Sequence, residues 1–399
     1  MFVYCDNAAT APLRREAFEA MRPWLEDNFG NASSIYRPAR EAKKALEEAR
    51  RSVAENLGVK PEEVYFTSGG TEADNWALKS AAEAAETYGR KHFITTAMEH
   101  HAVLHTLQYL EKKRGCEVTY LSIDKTGAVN PDDLRAALRP DTALVSIMAA
   151  NNEIGTVLPV AEFAAIVKQY DKKILFHTDA VQAVGHIPLE ITPDIDLLSL
   201  SGHKFGGPKG VGALIMRRSA NLPPLLHGGG HERGKRSSTE NVAGIAGMAA
   251  ALRVACADLA QNVLKTSAQR DKIIARVLSE IPYSRLTGAA GKDRLPGSVS
   301  FVFECIEGES MVLSLDARGV CASSGSACSS GSLDPSHVLL ALGLPHEIAH
   351  GSLRLSIDES LTEEQLDYVV DSVKAVVERC RLMSPLWDET EQKPLVKFD

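Results

Sequence analysis

Four polar stretches of this chain directly follow segments that read as β-strands, and their residue types suit catalysis. They are "TSGGTEADN", "AMEHHAVLH", "HTDAVQAVG" and "LSLSGHKFGGPKG". In the last of these, Lys204 follows an apolar strand and stands between small residues and glycines. A lysine in that setting is either a solvated surface residue or a partly desolvated amine that forms a Schiff base. The glycines favour the second interpretation, because they let a bulky group approach the backbone.

The other three stretches supply an anion site, an acid and an imidazole. Paired glycines before a helix form a cradle of N–H groups for an anion, and hydroxyls from Ser68 and Thr71 stand beside it. Asp179 ends an apolar strand, where its carboxylate either caps a helix or points into a cleft. His100 and His101 begin a helix. Adjacent histidines there are usually incidental, and the alternative is that one of them stacks on an aromatic ligand.

Pyridoxal phosphate requires this combination of groups. Its phosphate fits the cradle, its aldehyde reacts with the lysine amine, and the acid keeps its pyridine nitrogen protonated so that the ring withdraws electrons. A metal site is the competing interpretation of the His and Cys residues. Their spacing argues against a metal, because no two of them are expected at i, i+3 or i, i+4 on a helix with a third ligand nearby.

A serine- and glycine-rich stretch, "CASSGSACSSGSLDPSH", places Cys328 in what reads as a flexible tether. The thiol is either an incidental surface cysteine or one that must move between two places. An exposed cysteine has a pKa of about 8.5 and is mostly protonated at neutral pH, so the site must help to deprotonate it. His100 is the expected base. Cys321 lies in the apolar strand "GVCA" and is expected to be structural.

The order of predicted elements indicates an α/β fold. Strand and helix signals alternate over the first two thirds of the chain, which predicts a mostly parallel sheet sandwiched by helices. The segments "DIDLLSLSG" and "GVGALIMRR" are close enough to form a hairpin. From about residue 260 the pattern becomes α+β. We therefore expect a large cofactor-binding domain (15–259), a small domain (1–14 and 260–383) and a polar tail (384–399). Ligands of such sheets bind at the carboxyl ends of the strands.

Composition narrows the classes of function. The chain has 399 residues and a net charge of −8, which argues against nucleic acid or an anionic membrane as a partner. Its seven cysteines are scattered and lack CxxC pairs, which fits a reducing cytoplasm. The opening "MFVYCDNAAT" carries an early acid and no long apolar run, so no signal peptide is expected. The apolar "VAGIAGMAAALRVACADLA" is interrupted by Arg253 and is predicted to be a buried helix.

Taken together, the motifs resemble those of the cysteine desulfurases of the NifS and IscS branch, within the class V aminotransferase family. These are fold-type I pyridoxal-phosphate enzymes, whose large domain holds a seven-stranded sheet. The resemblance covers nearly the whole chain, in order: "DNAAT", "TSGGTE", "EHHAVL", "NNEIGT", "HTDAVQ", "SGHKFGGPKG", "GGGHERGKRSST", "SSGSACSSG", "SLRLS" and "SPLW".

The resemblance implies a role for individual residues. Lys204 would bind the cofactor covalently, Asp179 would pair with its pyridine nitrogen, and His100 would stack on its ring and shuttle protons. The remaining cofactor contacts would come from Gly70, Thr71, Asn151, Gln182, Ser201 and His203, and from Thr239 of a neighbouring subunit. Arg354, together with Asn151, would bind the substrate carboxylate. Cys328 would receive the sulfur.

The resemblance also implies a reaction and partners. A cytoplasmic homodimer would convert L-cysteine to L-alanine, leave a persulfide on Cys328, and pass the sulfur to an acceptor such as an iron–sulfur scaffold protein. Selenocysteine lyase, cysteine sulfinate lyase and class V aminotransferase activities are alternatives. A non-catalytic sulfur carrier is a further one, which the intact set of Lys204, Asp179 and His100 argues against.

Three departures from the family pattern touch no residue with a chemical role. Gly70 stands where the family commonly has alanine. In "NASSIY", Ala32 and Tyr36 stand at the cleft rim where the family usually has proline and histidine. In "RLSID", Asp358 stands where a glycine is usual. They leave the reaction in place and bear on its rate and substrate preference.

Overall fold

A computed structural model describes residues 1–325 and 334–395 of the protein. Its strands are β1 (Val3–Tyr4), β2 (Val64–Thr67), β3 (His92–Thr96), β4 (Glu117–Leu121), β5 (Thr142–Ser146), β6 (Leu175–Asp179), β7 (Leu197–Ser201), β8 (Gly212–Met216), β9 (Ser284–Leu286), β10 (Ser298–Phe303), β11 (Val320–Cys321), β12 (Ser352–Ser356), β13 (Trp387–Asp388) and β14 (Lys393–Pro394).

The helices alternate with the strands over much of the chain. They are α1 (Arg15–Glu26), α2 (Arg37–Leu57), α3 (Gly70–Glu86), α4 (His101–Arg114), α5 (Pro131–Ala137), α6 (Val160–Tyr170), α7 (His231–Gly234), α8 (Val242–Ala257), α9 (Leu259–Glu280), α10 (Gly308–Asp316), α11 (His337–Ala341), α12 (His346–Ala349) and α13 (Glu363–Leu382).

The central sheet has seven strands in the order β2-β8-β7-β6-β5-β3-β4. Only β8 runs antiparallel to its neighbours, so the sheet is mostly parallel as predicted. The predicted hairpin is confirmed, because β7 pairs with β8 from Leu197 opposite Met216 to Ser201 opposite Gly212. Strands β3, β5, β7 and β8 are buried along their whole length, which explains why they read as apolar or β-branched runs rather than as alternating patterns.

Local signals explain where the helices begin and end. Pro38 lies in the first turn of α2, where its missing N–H costs no helical hydrogen bond. Gly58 ends this helix with φ 64°, a left-handed conformation that glycine adopts without strain. The apolar helix α8 is buried against the sheet domain through residues such as Ile245 and Met248, as the sequence predicts. Within the described residues, no single helix has the length and apolar composition to cross a membrane; only α8 and α9 taken together, bent by 72°, meet that test.

A second hydrophobic core lies among elements near the two ends of the chain. It joins the antiparallel strands β10 and β12 to helices α9, α10 and α13. Val3 and Cys5 pack in this second core, and β1 pairs in parallel with β11. These contacts support the proposed assignment of residues 1–14 to the small domain. In the tail, Trp387 is buried, with its ring edge-on to Tyr283 and Arg381 over its face.

A buried ion pair ties α2 to the segment that contains "GGGHERGKRSST". The Arg50 guanidinium donates two hydrogen bonds to the Glu232 carboxylate, at 2.8 and 2.7 Å, and both side chains are almost fully buried. Glu232 also accepts a hydrogen bond from the Phe66 N–H in β2 at 2.9 Å. Because a lone charge in the interior is costly, each partner depends on the other.

We expect Glu232→Ala to lower the free energy of unfolding by up to about 3–5 kcal/mol, since it leaves the buried Arg50 charge with only the partly exposed Glu47 carboxylate, 3.3 Å from Nε, as an ionic partner. Glu41→Ala is the matched control, because Glu41 pairs with Arg37 on the exposed side of the same helix. That change should have a far smaller effect. Urea unfolding of the three proteins gives the comparison, and equal losses for the two variants would contradict the role given to the buried pair.

Candidate active site

The predicted site residues converge because the strands that precede them share one direction. Strands β2, β3, β5, β6 and β7 are mutually parallel, so their carboxyl ends lie at one edge of the sheet. Polar segments follow each of them at this edge. The anion cradle follows β2, His100 follows β3, Asn151 follows β5, Asp179 ends β6, and Lys204 follows β7.

Lys204 lies on a short 3-10 turn, Gly202–Lys204, that directly follows β7. Its Nζ donates to the carbonyl oxygens of Ala8 at 2.6 Å and Ala9 at 3.0 Å. The amine is therefore held toward the N-terminal segment "DNAAT". The same segment binds Gln182, whose Nε2 donates to the Ala8 carbonyl at 3.0 Å.

Asp179 forms a buried cluster with Asp74 and His100. One polar atom from each of the three side chains lies within 4.8 Å of the others. Burial raises the pKa of Asp179, while the Val181 N–H, which donates to Oδ1 at 2.9 Å, and the Lys204 charge act against that rise. Burial, and then repulsion by Asp179, raise the pKa of Asp74 well above its usual value. The Val181 bond is a local cap, so the capping role considered from sequence is present together with the buried position.

His100 caps α4 as well as facing this cluster. Its Nδ1 accepts a hydrogen bond from the Ala102 N–H at 3.1 Å. Burial lowers the pKa of His100 to about 4, and the positive charge of Lys204 adds to the effect. The ring is therefore neutral at physiological pH, and the cap leaves its proton on Nε2. This geometry is compatible with stacking and with hydrogen-bond donation from Nε2, and the expected role of His100 as a base toward Cys328 stays a prediction, since Cys328 lies outside the described residues.

The anion cradle is formed by the N-terminus of α3. The first N–H groups of a helix have no partners within it, so those of Gly70 and Thr71 are available to an anion. Ser201 is buried beside the cradle, with its Oγ 3.7 Å from the position that a Cβ on Gly69 would take. A Cβ on Gly70 would lie 2.6 Å from Val181 Cγ2. The departure from the family's alanine at Gly70 is therefore matched by the side chain of Val181, which fills that space.

His203 completes this side of the site. Its Nδ1 lies 3.1 Å from the Thr10 hydroxyl. Burial, and then the charge of Lys204, lower the pKa of His203 to about 4, so this imidazole is neutral at physiological pH. A neutral ring with one N–H can donate to a phosphate oxygen.

Asn151 is fully buried, and its side chain is occupied by the protein itself. Its Oδ1 accepts from the Glu153 and Ile154 N–H groups at 2.8 and 2.9 Å, and its Nδ2 donates to the Met98 carbonyl at 2.8 Å. These bonds hold the turn after β5. The cofactor and substrate contacts expected of Asn151 remain a prediction, and in this structure it organises the turn.

Arg354 lies on β12 and is nearly fully buried at the base of the site. Its Nη1 donates to the Asn152 carbonyl at 3.0 Å, and its Nη2 donates to Asp6 Oδ1 at 2.8 Å. The Nε atom is buried and has no hydrogen-bond partner within the described ranges. One edge of the guanidinium is thus partly free for a further acceptor such as a carboxylate.

This single chain does not bring Thr239 into the site. Thr239 is exposed, in the segment between α7 and α8, which is compatible with a role toward a second subunit. Cys328 lies outside the described residues. Cys321, assigned a structural role, is the last residue of β11 and is paired with Tyr4 of β1.

Sequence reasoning assigned no role to four acidic residues of the site. Asp6, Asp74, Glu99 and Glu153 all lie inside the quoted motifs, but their spacing did not separate them from surface acids. Glu99 and Asp74 are fully buried next to the Asp179 carboxylate, and Glu153 accepts a hydrogen bond from the Ser336 hydroxyl. Burial raises the pKa of Glu153 to about 7.

One premise of the spacing argument against a metal site does not hold, because a helix carries two histidines at i, i+4; the absence of a metal site stays a prediction. His101 and His105 lie at i, i+4 on α4, and the ring of His337 lies against His101 with a centroid distance of 4.6 Å. The third histidine comes from a distant part of the sequence, so only the folded chain reveals it.

Comparison with known proteins places this geometry in a family. The profile described as aminotransferase class-V matches residues 3–369. The chain therefore belongs to the class V aminotransferase family.

The relatives in that family are more specific. The chain is 52% identical over 385 residues to a protein of Methanosarcina thermophila named cysteine desulfurase IscS, covering 96% of this chain and 94% of the relative. A protein of the same name from Dictyoglomus turgidum is 50% identical over 388 residues, covering 97% of both chains. A solved NifS-like protein superposes with a TM-score of 0.88 at 38% identity, covering 95% of this chain and 100% of that one. Within its family, the chain belongs with the cysteine desulfurases.

The burial of Glu99 predicts how the stability of the protein depends on pH. Its Oε1 accepts from the Thr96 hydroxyl and from the Met148 N–H, both at 2.9 Å. Burial raises the pKa of Glu99 to about 8. Between the unfolded value of about 4.3 and that value, the folded state binds more protons than the unfolded state, so this group lowers stability as pH rises.

We expect Glu99→Gln to remove this loss, so that the variant gains stability relative to wild type as pH rises from about 4.5 to 8. The neutral histidines titrate alike in both proteins, and their effect cancels in the difference. Urea unfolding at several pH values measures the difference in free energy of unfolding between variant and wild type, with Glu48→Gln on the exposed face of α2 as a control. A difference that stays constant with pH would show that Glu99 is ionised throughout.

Proposed function

We propose that the protein is a pyridoxal-phosphate-dependent cysteine desulfurase, which converts L-cysteine to L-alanine and transfers the sulfur to Cys328. The observation that carries this proposal is the convergence of Lys204, Asp179 and His100 at one edge of the sheet. The Lys204 charge lies close enough to influence the pKa of both other groups. An amine, a buried acid and a neutral imidazole are the groups that this cofactor requires.

The chemistry of the donor set fits the cofactor. The carboxylates of Asp74 and Asp179 are buried side by side, and Asp74 Oδ1 has no hydrogen-bond partner among the residues described. A protonated pyridine nitrogen would supply a donor and a positive charge to this pair of acids. At the other end, the N-terminus of α3, Ser201 and His203 offer donors to a phosphate. When bound there, pyridoxal phosphate supplies an electron sink for a carbanion at the substrate Cα.

Around the cofactor, the residues of the chain would move protons and exclude water. The Lys204 amine, held by Ala8 and Ala9, is the group placed to take and return the substrate's Cα proton. His100 would stack on the ring and would donate from Nε2, since its Nδ1 is engaged by Ala102. The Asp74 carboxyl lies next to Asp179, and burial and repulsion by Asp179 raise its pKa well above its usual value, which favours its protonated form.

Arg354 is the residue that we assign to the substrate carboxylate. Its guanidinium is fixed by Asn152 and Asp6 and retains an unpartnered Nε. A carboxylate presents two acceptor oxygens, and the forked guanidinium of an arginine binds such a pair better than a lysine ammonium does. One structural neighbour, SspA in complex with cysteine, superposes with a TM-score of 0.77 at 36% identity, covering 89% of this chain and 98% of that one. That complex supports an amino-acid substrate with a thiol.

The segments on both sides of Cys328 are anchored near Arg354. Before it, the Ser323 and Arg354 backbones exchange hydrogen bonds of 3.1 and 2.6 Å. After it, the Ser336 hydroxyl donates to Glu153, whose carboxyl is close enough for the Arg354 charge to affect its pKa. The chain therefore leaves and returns beside the proposed substrate carboxylate site, which supports the assignment of Cys328 as the sulfur acceptor.

We further propose that the enzyme works as a cytoplasmic homodimer and passes sulfur to an iron–sulfur scaffold protein. The exposed Thr239 would complete the phosphate site of the neighbouring subunit. The aminotransferase alternative needs Lys204 and Asp179 but not the thiol, and the naming of the relatives does not favour it.

An assay with L-cysteine tests the function directly. We expect one alanine for each sulfur released by wild type, and no visible cofactor absorption and no turnover for Lys204→Ala. Cys328→Ser should keep the cofactor and lose at least about a hundredfold in sulfur transfer, because positioned nucleophiles contribute on that scale. A Cys328→Ser variant with full sulfur transfer would overturn the assignment of the thiol, and formation of pyruvate or of an oxo acid would overturn the reaction.

Arg354 and Asp6 make a second, opposed pair of predictions. Arg354→Lys should raise KM for L-cysteine by about tenfold or more with a smaller change in kcat, since it removes paired binding of the carboxylate. Asp6→Asn keeps an oxygen for Nη2 but removes a competing negative charge, so KM should fall. Steady-state kinetics of both variants measures this, and a raised KM for Asp6→Asn would show that Asp6 positions the guanidinium instead of competing with substrate.

A further inference from the structure

Three histidines that the proposed reaction does not use form a cluster on the outer side of α4. His101 and His105 are one helical turn apart, and His101 Nδ1 lies 3.2 Å from His105 Nε2. The ring of His337, at the start of α11, lies 4.6 Å from the ring of His101 between centroids. His105 is exposed and the other two are half-buried, so the cluster opens to solvent.

The distance between the two nitrogens suits a shared metal ion. Nitrogen ligands lie about 2.0–2.1 Å from zinc, and two of them at a tetrahedral angle are separated by about 3.4 Å. The 3.2 Å between His101 and His105 is close to that separation. A hydrogen bond between two neutral imidazoles would give a similar distance, so the distance alone leaves two explanations.

The surroundings of His337 favour the metal. Its Nε2 lies 3.0 Å from the Glu99 carbonyl oxygen, and since a carbonyl can only accept, Nε2 carries the proton. Nδ1 then presents a lone pair. Histidines that bind metals commonly donate their second N–H to a backbone carbonyl in this way, which fixes the tautomer.

We propose that His101 and His105 form a binding site for one divalent transition metal ion, and that His337, whose ring lies against that of His101 but whose free nitrogen is not within 4.8 Å of both other ligand atoms, turns to complete it. The ligand set is imidazole only, which selects Zn²⁺, Ni²⁺, Cu²⁺ or Co²⁺ over Mg²⁺ and Ca²⁺. Lys79, whose Nζ lies over the Tyr109 ring, lines the same pocket as His101 and His105 and lowers the affinity for a cation. A bound ion would join α11 to α4, the helix that His100 caps.

The site is tested by titrating the cofactor-loaded, metal-free protein with Co²⁺ and with Zn²⁺ in a calorimeter near neutral pH. We expect one ion per chain. His101→Gln and His105→Gln should each weaken binding by about tenfold or more, and His337→Gln by less. Because His105 is exposed, its replacement leaves the fold intact. Wild-type affinity in His105→Gln would overturn the proposal. The short distance between His101 and His105 in the wild-type protein would then be explained by a hydrogen bond between the two rings.

The chain offers a matched control. His346 and His350 are also four residues apart and exposed, but no hydrogen bond or ring contact joins their side chains within the described parts of the chain. The double variant His346→Gln/His350→Gln should bind as wild type does. The Co²⁺ spectrum adds a second criterion, since thiolate ligands add charge-transfer bands in the near ultraviolet and imidazoles do not. A thiolate spectrum that persists in His101→Gln would place the ion on cysteine and refute the histidine site.

Discussion

The shared direction of five strands is the constraint on which the site depends. In a parallel sheet every strand ends at the same edge, so short polar segments that are far apart in the chain are brought within a few ångströms of one another. Lys204 and Asp179 end neighbouring strands, and His100 approaches them from β3, two strands beyond β6. A change of direction in β6 or β7 would move its residue to the opposite edge, however well the local sequence matched.

Burial then gives these residues their chemistry. Asp74 and Asp179 are placed side by side without enough donors to satisfy both, a costly arrangement unless a protonated group joins them. His100 and His203 are made neutral by the same burial and by the Lys204 charge. The site therefore suits the proposed ligand, which carries a protonated ring nitrogen and a phosphate. A stable apolar fold would avoid such a cluster, so its presence points to function.

The N-terminal segment connects the two proposed domains through this site. Ala8 and Ala9 hold the Lys204 amine, Thr10 contacts His203, and Asp6 pairs with Arg354 on β12. Cofactor-side and substrate-side residues are thus linked by five consecutive residues. The residue types in "DNAAT" do not by themselves suggest this linking role, because three of its contacts are made by two backbone carbonyls and a hydroxyl.

The sequence by itself determined the fold class, the order of strands and helices, and the set of Lys204, Asp179, His100 and the glycine cradle. Each of these rests on a local pattern, such as an apolar run, a cap or a motif of fixed spacing. Only the tertiary structure decided what depends on distance across the chain or on burial. His100 Nδ1 caps α4, Asn151 is occupied by its own turn, and Asp6 faces Arg354. The approach of His337 to His101 is likewise set by the fold, because hydrogen bonds and desolvation depend on neighbours that local spacing does not specify.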